Sequence, residues 1–211
     1  MRAQVNHKSM PKTSITSPAQ GLTIFNTSLK CLEVYNGLHW NCQIPKNPTE
    51  VYNTTTGKIW MDRNLGALQV AASSTDFNAY GSLFQWGRRA DGHELINWTS
   101  ATAGTAVNSG VNTTRSNSPG NTFIRTPLEP FDWRVNSNDN LWQGVNVINN
   151  PCPSGYRLPT EAEWENERLS WESSNFAYNA AFDSPLKLPM AGRRIWSNGS
   201  LISSGSVGYY W

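Results

Sequence analysis

Charge is scarce in this sequence. Asp, Glu, Lys and Arg make up 15% of its 211 residues, where about a quarter is usual for a soluble domain. The shortfall is filled by Ser, Thr, Asn and Gly, so the surface is solvated by hydroxyls and amides rather than by ions. The formal charge is only +2 and no basic run stands out, which removes the electrostatic footprint of a nucleic-acid partner. No stretch of about 18 apolar residues occurs, so no segment inserts as a membrane helix. The first 21 residues have no apolar core of a signal peptide, and the expected routes out of the cell are processing of a longer chain or carriage on a virion. The motifs GxSxG, HExxH, the P-loop and Cys-x-x-Cys are all missing. With three histidines and three cysteines in all, few metal sets or nucleophile–base pairs can be built.

What is plentiful is tryptophan. There are ten, each with a large apolar face and one N–H donor, a combination that serves cores, sugar stacking and binding hot spots alike. Most are expected in the core, because Trp is highly buried on average.

Residues 1–20 are polar and Pro-containing and read as a flexible leader. Residues 21–48 read as a β-hairpin module, with Asn36-Gly37 as a two-residue type I′ turn. Counting outward from that turn, Tyr35 faces Leu38 and Cys31 lands opposite Cys42. Opposed residues on antiparallel strands lie about 4.5–5.5 Å apart at Cα, inside the disulfide window. A Cys31–Cys42 bond and an oxidising compartment are therefore expected.

Residues 49–211 read as one further domain. Residues 44–58 look like a linker and KIWMDRNLG (58–66) like a short buried strand. A helix capped by Ser74 or Thr75 is suggested over 74–90, weakened by Gly81. Residues 97–126 read as a long surface loop. Asn136, Asn138 and Asn140 alternate as cation ligands sometimes do, but the glycine and distal Glu of an EF-hand are missing. A structural calcium here is the one cofactor the residues suggest, and otherwise none is expected. In PCPSGYRLPTEAEWENERL (151–169), Thr160 and Glu163 form a capping box that starts a helix, with Ala162, Trp164 and Leu169 directed at the core. Asn198-Gly199 marks a second hairpin turn in the strand-rich tail. The fold class is α+β: two helices, short antiparallel strands and long irregular loops, preceded by a β-hairpin.

The segments GKIWMDRNLGA (57–67), YGSLFQWGRRADGHE (80–94), NNPCPSGYRLPTEAEWE (149–165), SPLKLPMAGRR (184–194) and SNGSLISSGSVGYYW (197–211) resemble the Fibrobacter succinogenes major paralogous domain, over about residues 50–211. RLPTEAEWE (157–165) is also similar to part of the formylglycine-generating enzyme (sulfatase-modifying factor) family. The resemblance implies a C-type-lectin-like fold on a bacterial surface or phage protein. The copper-binding cysteines of the formylglycine-generating enzymes have no counterpart after Cys152, so that oxidation is not expected. The resemblance also implies a closing strand after GYYW, which this chain, stopping at Trp211, is expected to lack or receive from elsewhere.

A non-enzymatic ligand-recognition role outside the cytoplasm follows as the leading expectation. The resemblance places the ligand face on the late strands and loops, at Asn175, Phe176, Tyr178, Asn179, Arg193, Ile195, Trp196, Asn198 and Ser203. Rigid aromatics with adaptable polar neighbours suit a cell-surface glycan or protein ligand. The Asn- and Ser-rich tail also fits the variable cassette of a diversity-generating retroelement. Two other readings stand beside this one: a fibre or surface spacer without a ligand, and a degenerate relative of the formylglycine-generating enzyme. For catalysis the sequence offers His93 beside Asp91 and Glu94, a grouping that more often makes a polar turn than an acid/base pair. Glu161, Glu163, Glu165 and Glu167 are spread around the helix and make no paired-carboxylate site.

Overall fold

The computed structural model describes residues 15–26, 31–35, 37–43, 50–126, 128–129, 131–171 and 180–211. The chain forms two compact units, Met1–Pro48 and Thr49–Trp211. Both are built from short strands, and the second adds two helices, giving a small α+β fold.

The first unit holds three strands: β1 (Thr23–Asn26), β2 (Cys31–Tyr35) and β3 (Trp40–Gln43), in the order β1-β2-β3. Their register differs from that expected of a two-residue turn. Tyr35 pairs with Trp40 and Glu33 with Cys42, while Cys31 pairs with Asn26 of β1. The loop is thus four residues long, and each partner is shifted by two places. This register puts the Tyr35 and Trp40 rings 5.4 Å apart, a cross-strand aromatic pair of the kind that stabilises a sheet, and leaves Leu38 exposed. The direct opposition on which the Cys31–Cys42 bond was expected is not made. The side chains of Cys31 and Cys42 lie outside the described residues.

The second unit begins with a hairpin where a linker was expected. β4 (Glu50–Asn53) pairs antiparallel with β5 (Lys58–Met61). The Asn53 side-chain oxygen shapes the turn by accepting the N–H groups of Thr55 and Thr56 at 2.9 and 3.2 Å, an Asx-turn. Gly57 completes it at φ 67°. β5 is not the buried strand expected, since Lys58 and Ile59 are exposed and Trp60 and Met61 half-buried. Between 74 and 90 only a 3₁₀ turn forms, Phe77–Ala79, capped by Asp76. Gly81 sits at φ 70°, a left-handed conformation that a helix cannot pass through, and it has to be glycine because a Cβ there would fall 2.4 Å from the Leu65 carbonyl.

The presumed loop over 97–126 contains four strands. β6 (Ile96–Ser100) and β7 (Ala103–Ala106) make a bulged hairpin, and β8 (Val111–Asn112) pairs parallel with β9 (Phe123–Ile124). Trp98 anchors the hairpin by donating its indole N–H to the Gly81 carbonyl at 2.8 Å. α1 (Glu161–Leu169) starts at the Thr160/Glu163 capping box, as expected. α2 spans Ala180–Asp183, and β10 (Arg193–Arg194) pairs antiparallel with β11 (Leu201–Ile202), with Arg194 opposite Leu201, two places off the register of the two-residue Asn198-Gly199 turn expected. No helix among the described residues is long and apolar enough to cross a membrane.

The face that α1 buries is not the apolar one. Ala162 and Leu169 are exposed and Trp164 half-buried, while Glu167 is wholly buried. Its carboxyl accepts Asn53 Nδ2 at 2.7 Å and Trp171 Nε1 at 3.2 Å, tying the helix to the β4–β5 turn. Asn53 Nδ2 also donates to Ser170 Oγ at 2.7 Å. Trp164 packs against Trp60, Trp171 and Tyr210 beside this lock. Glu167→Ala leaves buried donors unpaired and is expected to cost about 1–3 kcal/mol. Thr160→Ala, which removes only the cap, should cost about 1 kcal/mol. Urea unfolding of both variants checks the order, and a loss below about 0.5 kcal/mol for Glu167→Ala, the range of an ordinary surface change, would show that the lock is not structural.

Candidate functional site

Two groups of chemistry-bearing side chains stand out, one sealed and one open. The sealed group follows from the sequence RRADGHE. Arg88 is fully buried, and burying a guanidinium demands a partner for every N–H. Asp91 takes Nε and Nη2 at 2.8–3.2 Å, while Gln85 Oε1 and the Thr122 and Gly120 carbonyls take the rest at 2.7–2.9 Å. Asp91 also meets His93 Nδ1 at 2.7 Å, and Glu94 lies 3.3 Å from the same nitrogen. Gln85 N–H donates to His93 Nε2 at 2.9 Å. Nε2 is therefore the bare nitrogen and Nδ1 carries the proton, which it donates to Asp91.

Ligand atoms of Asp91, His93 and Glu94 lie within 4.8 Å of one another, a grouping that resembles a metal centre. Its donor set does not fit one. Both imidazole nitrogens are committed and Asp91 is held by the Arg88 fork, so a cation would have to displace Arg88. Acid/base work is also blocked, because His93 is wholly buried, its ring edge-on to Phe84 at 6.0 Å. The group is a structural network. Burial pushes the Asp91 carboxyl up, but hydrogen bonds from His93 and Arg88 outweigh it and hold it below its ordinary value. Glu94 is likewise raised by burial and lowered further by His93 and by backbone N–H groups.

The open group is a cleft of about 780 Å³, within the size range of small-ligand sites. Its walls are aromatic, and three features define them. Trp142 carries Trp86 on one side at 5.8 Å and Trp211 on the other at 6.4 Å. Phe131 and Trp196 lie 4.7 Å apart, each 43% exposed. The Arg193 guanidinium sits 4.8 Å over the ring of Tyr209. These groups are fixed from below. Trp133 and Trp142 donate their indole N–H groups to the Trp86 and Arg88 carbonyls at 2.6 and 3.0 Å. Buried Thr126 takes the Trp196 carbonyl with its N–H at 3.1 Å and the Phe131 carbonyl with its hydroxyl at 3.0 Å.

The hairpin that carries Trp196 is held to the sealed network. Arg194 donates to the His93 carbonyl at 2.7 Å and the Gly199 carbonyl at 2.9 Å, over the face of Phe123 at 4.2 Å. Burial, with nearby Arg88, pushes its guanidinium down to about 10. Cys152 also lines the cleft, but burial pushes its thiol up to about 11. It stays protonated at neutral pH and is a poor nucleophile.

Of the residues expected on the ligand face, Arg193 and Trp196 line this cleft. Ile195 is half-buried and Asn198 and Ser203 are exposed, but none of the three lines it. Asn198 shapes the turn, accepting Ser200 N–H at 2.9 Å, and Ser203 holds a left-handed φ of 62°. Asn175, Phe176, Tyr178 and Asn179 lie outside the described residues. Trp86, Phe131, Trp142, Tyr209 and Trp211 were not singled out from sequence; the signal was the excess of Trp itself. Asn136, Asn138 and Asn140 are exposed, and Asn138 Oδ1 accepts Asn140 N–H at 2.9 Å. No family model, curated protein or solved structure matches the chain.

The sealed network predicts how stability responds to acid. Both carboxyls are depressed in the folded state, so their contribution is complete above the unfolded value of about 4. It is lost as pH falls from there through the folded values. Asp91→Asn should cost about 3–5 kcal/mol at neutral pH by leaving Arg88 buried without its counter-charge. It should also flatten the fall in melting temperature below about pH 4. Thermal melts of the two proteins across that range test this, and parallel curves would remove Asp91 from the acid response.

Proposed function

We propose that the chain is a non-enzymatic ligand-recognition module of C-type-lectin-like fold, displayed on a bacterial surface or a phage particle, with the aromatic cleft as its binding site. The observation that carries this is the Phe131–Trp196 pair. Each ring is 43% exposed, and Phe131 holds a left-handed φ of 57°. That conformation costs a bulky residue on the order of 1–3 kcal/mol. A purely structural pair gains by burial and by relaxed backbone, so exposure and strain together favour a role in binding. The Thr126 contacts to both backbones pre-order the pair, which lowers the entropy lost on binding.

The short antiparallel strands, the irregular connections and the parallel bridge between Gly192 and Gly208 are compatible with the lectin-like reading. Arg193 and Trp196 rest on Tyr209 and Phe131 rather than in the buried core. Substitution there disturbs the fold little, as a diversified ligand face requires.

The test is a binding screen of the full chain against arrays of surface glycans and cell-envelope proteins, with Trp196→Ala and Thr126→Val as variants. Trp196→Ala should abolish any specific signal with the circular dichroism spectrum unchanged, because truncating a central aromatic anchor commonly costs 2 kcal/mol or more, about thirtyfold. Thr126→Val should weaken it less. Silence across both arrays would favour the spacer reading. Retained binding in Trp196→Ala would place the site elsewhere.

A further inference from the structure

Resting on the recognition reading, we infer that the Phe131–Trp196 end of the cleft takes saccharides that carry a carboxylate, with Arg193 as the group that reads the acid. The cleft is lined by four arginines, and three are already engaged. Arg63 pairs with Asp62 at 2.7 Å and Arg157 with Glu163 at 2.7 Å. Arg194 is committed to the carbonyls of His93 and Gly199. Arg193 is exposed and forms no ion pair among the described residues; its guanidinium lies over Tyr209. The ring holds the guanidinium in place, and no side-chain hydrogen bond of Arg193 to a described residue occupies its N–H groups. A planar fork of donors matches a carboxylate in two-point fashion, which an ammonium cannot do.

The rest of the subsite suits a sugar ring better than a peptide or a protein face. The negative faces of the half-exposed Phe131 and Trp196 rings attract the weakly positive C–H groups of a pyranose. Asp132, the next residue after Phe131, also lines the cleft. Its carboxylate accepts Arg134 N–H at 2.9 Å and has lone pairs left for sugar hydroxyls. A concave volume of about 780 Å³ holds an oligosaccharide of a few units, whereas a protein partner ordinarily needs about 800 Å² of surface on each side.

The experiment titrates the full chain with trigalacturonate and with its fully methyl-esterified form, following tryptophan fluorescence and calorimetry. The ester keeps the rings and hydroxyls and removes the charge. The acid form is expected to bind at least about tenfold more tightly, the scale of one charge-assisted contact. Arg193→Gln should bring the acid down to the affinity of the ester and leave the ester unchanged. Arg193→Lys, which keeps the charge without the fork, should fall between. Trp196→Ala should weaken both forms. Equal binding of acid and ester overturns the carboxylate assignment and leaves the recognition reading standing. Acid binding that survives Trp196→Ala marks simple ion exchange and overturns it too. If neither this pair nor glucuronate- and sialate-bearing oligosaccharides bind, the assignment fails. The array screen with Trp196→Ala then decides separately whether the chain recognises anything.

Discussion

The guanidinium of Arg88 has no water to hold, so the protein must meet every one of its N–H groups. Asp91, Gln85 and the carbonyls of Thr122 and Gly120 do so. In a low-dielectric setting each of those bonds is strong and each omission is costly. The consequence reaches well beyond the residue. Gly120 and Thr122 belong to the stretch leading into β9, so the stretch after β8 is fixed by the same charge that fixes 85–91. Arg88 also lends its own carbonyl to Trp142 and its face to Trp133, which sets the floor of the cleft. Through Asp91 the network orients His93, and through the His93 carbonyl it holds Arg194 and the β10–β11 hairpin.

A chain with so few long elements has little regular backbone to stabilise it. Among the described residues, Ile124, Trp133 and Leu141 form a contiguous buried apolar cluster. Polar locks take over much of the positioning. Glu167 joins α1 to the β4–β5 turn, Arg88 joins the middle segments, and Thr126 joins Phe131 to Trp196. Each is a buried residue that reaches a partner far away in sequence, Glu167 and Arg88 with their side chains and Thr126 with its backbone N–H to Trp196. That arrangement explains how loops can be held firmly enough to present rings at fixed angles.

Legibility in the sequence divides along the same line. The Thr160/Glu163 box is a local device, complete within four residues, and forms where the residues place it, whereas Asn198-Gly199 does not centre a two-residue turn: Arg194 pairs with Leu201 and the Ile195 N–H meets the Ser200 carbonyl, two places off that register. What fails is whatever a distant partner decides. The β2–β3 register follows the Tyr35–Trp40 contact instead of the turn that Asn36-Gly37 suggested. Glu167 reads as a surface acid because its partner Asn53 is 114 positions away. The polar stretch 97–126 reads as loop because its strands are short and Trp98 is stitched to Gly81. The tryptophans mislead most. Only Trp133 and Trp142 are buried, while Trp86, Trp196 and Trp211 are exposed. Of the expected ligand face, Arg193 and Trp196 were readable as types suited to recognition. Their partners Tyr209 and Phe131 were not, because the contacts cross the fold.

The division of labour between sealed and open groups bears on how such a surface tolerates change. The residues that hold the β10–β11 hairpin face inward: Arg194 on carbonyls, and Gly199 at φ 75° with no room for a Cβ, which would come within 3.0 Å of Phe123. At its outer side, the Arg193 and Trp196 side chains lie against the exposed rings of Tyr209 and Phe131. Changing the first set leaves buried donors unpaired or strains the backbone, which costs stability whatever the ligand. Changing the second alters what the cleft presents at little expense to the fold. Alternation of a fixed inward residue with a free outward one is the ordinary period of a strand. In β10 that period sets Arg194 toward the buried carbonyls and Arg193 toward the open cleft.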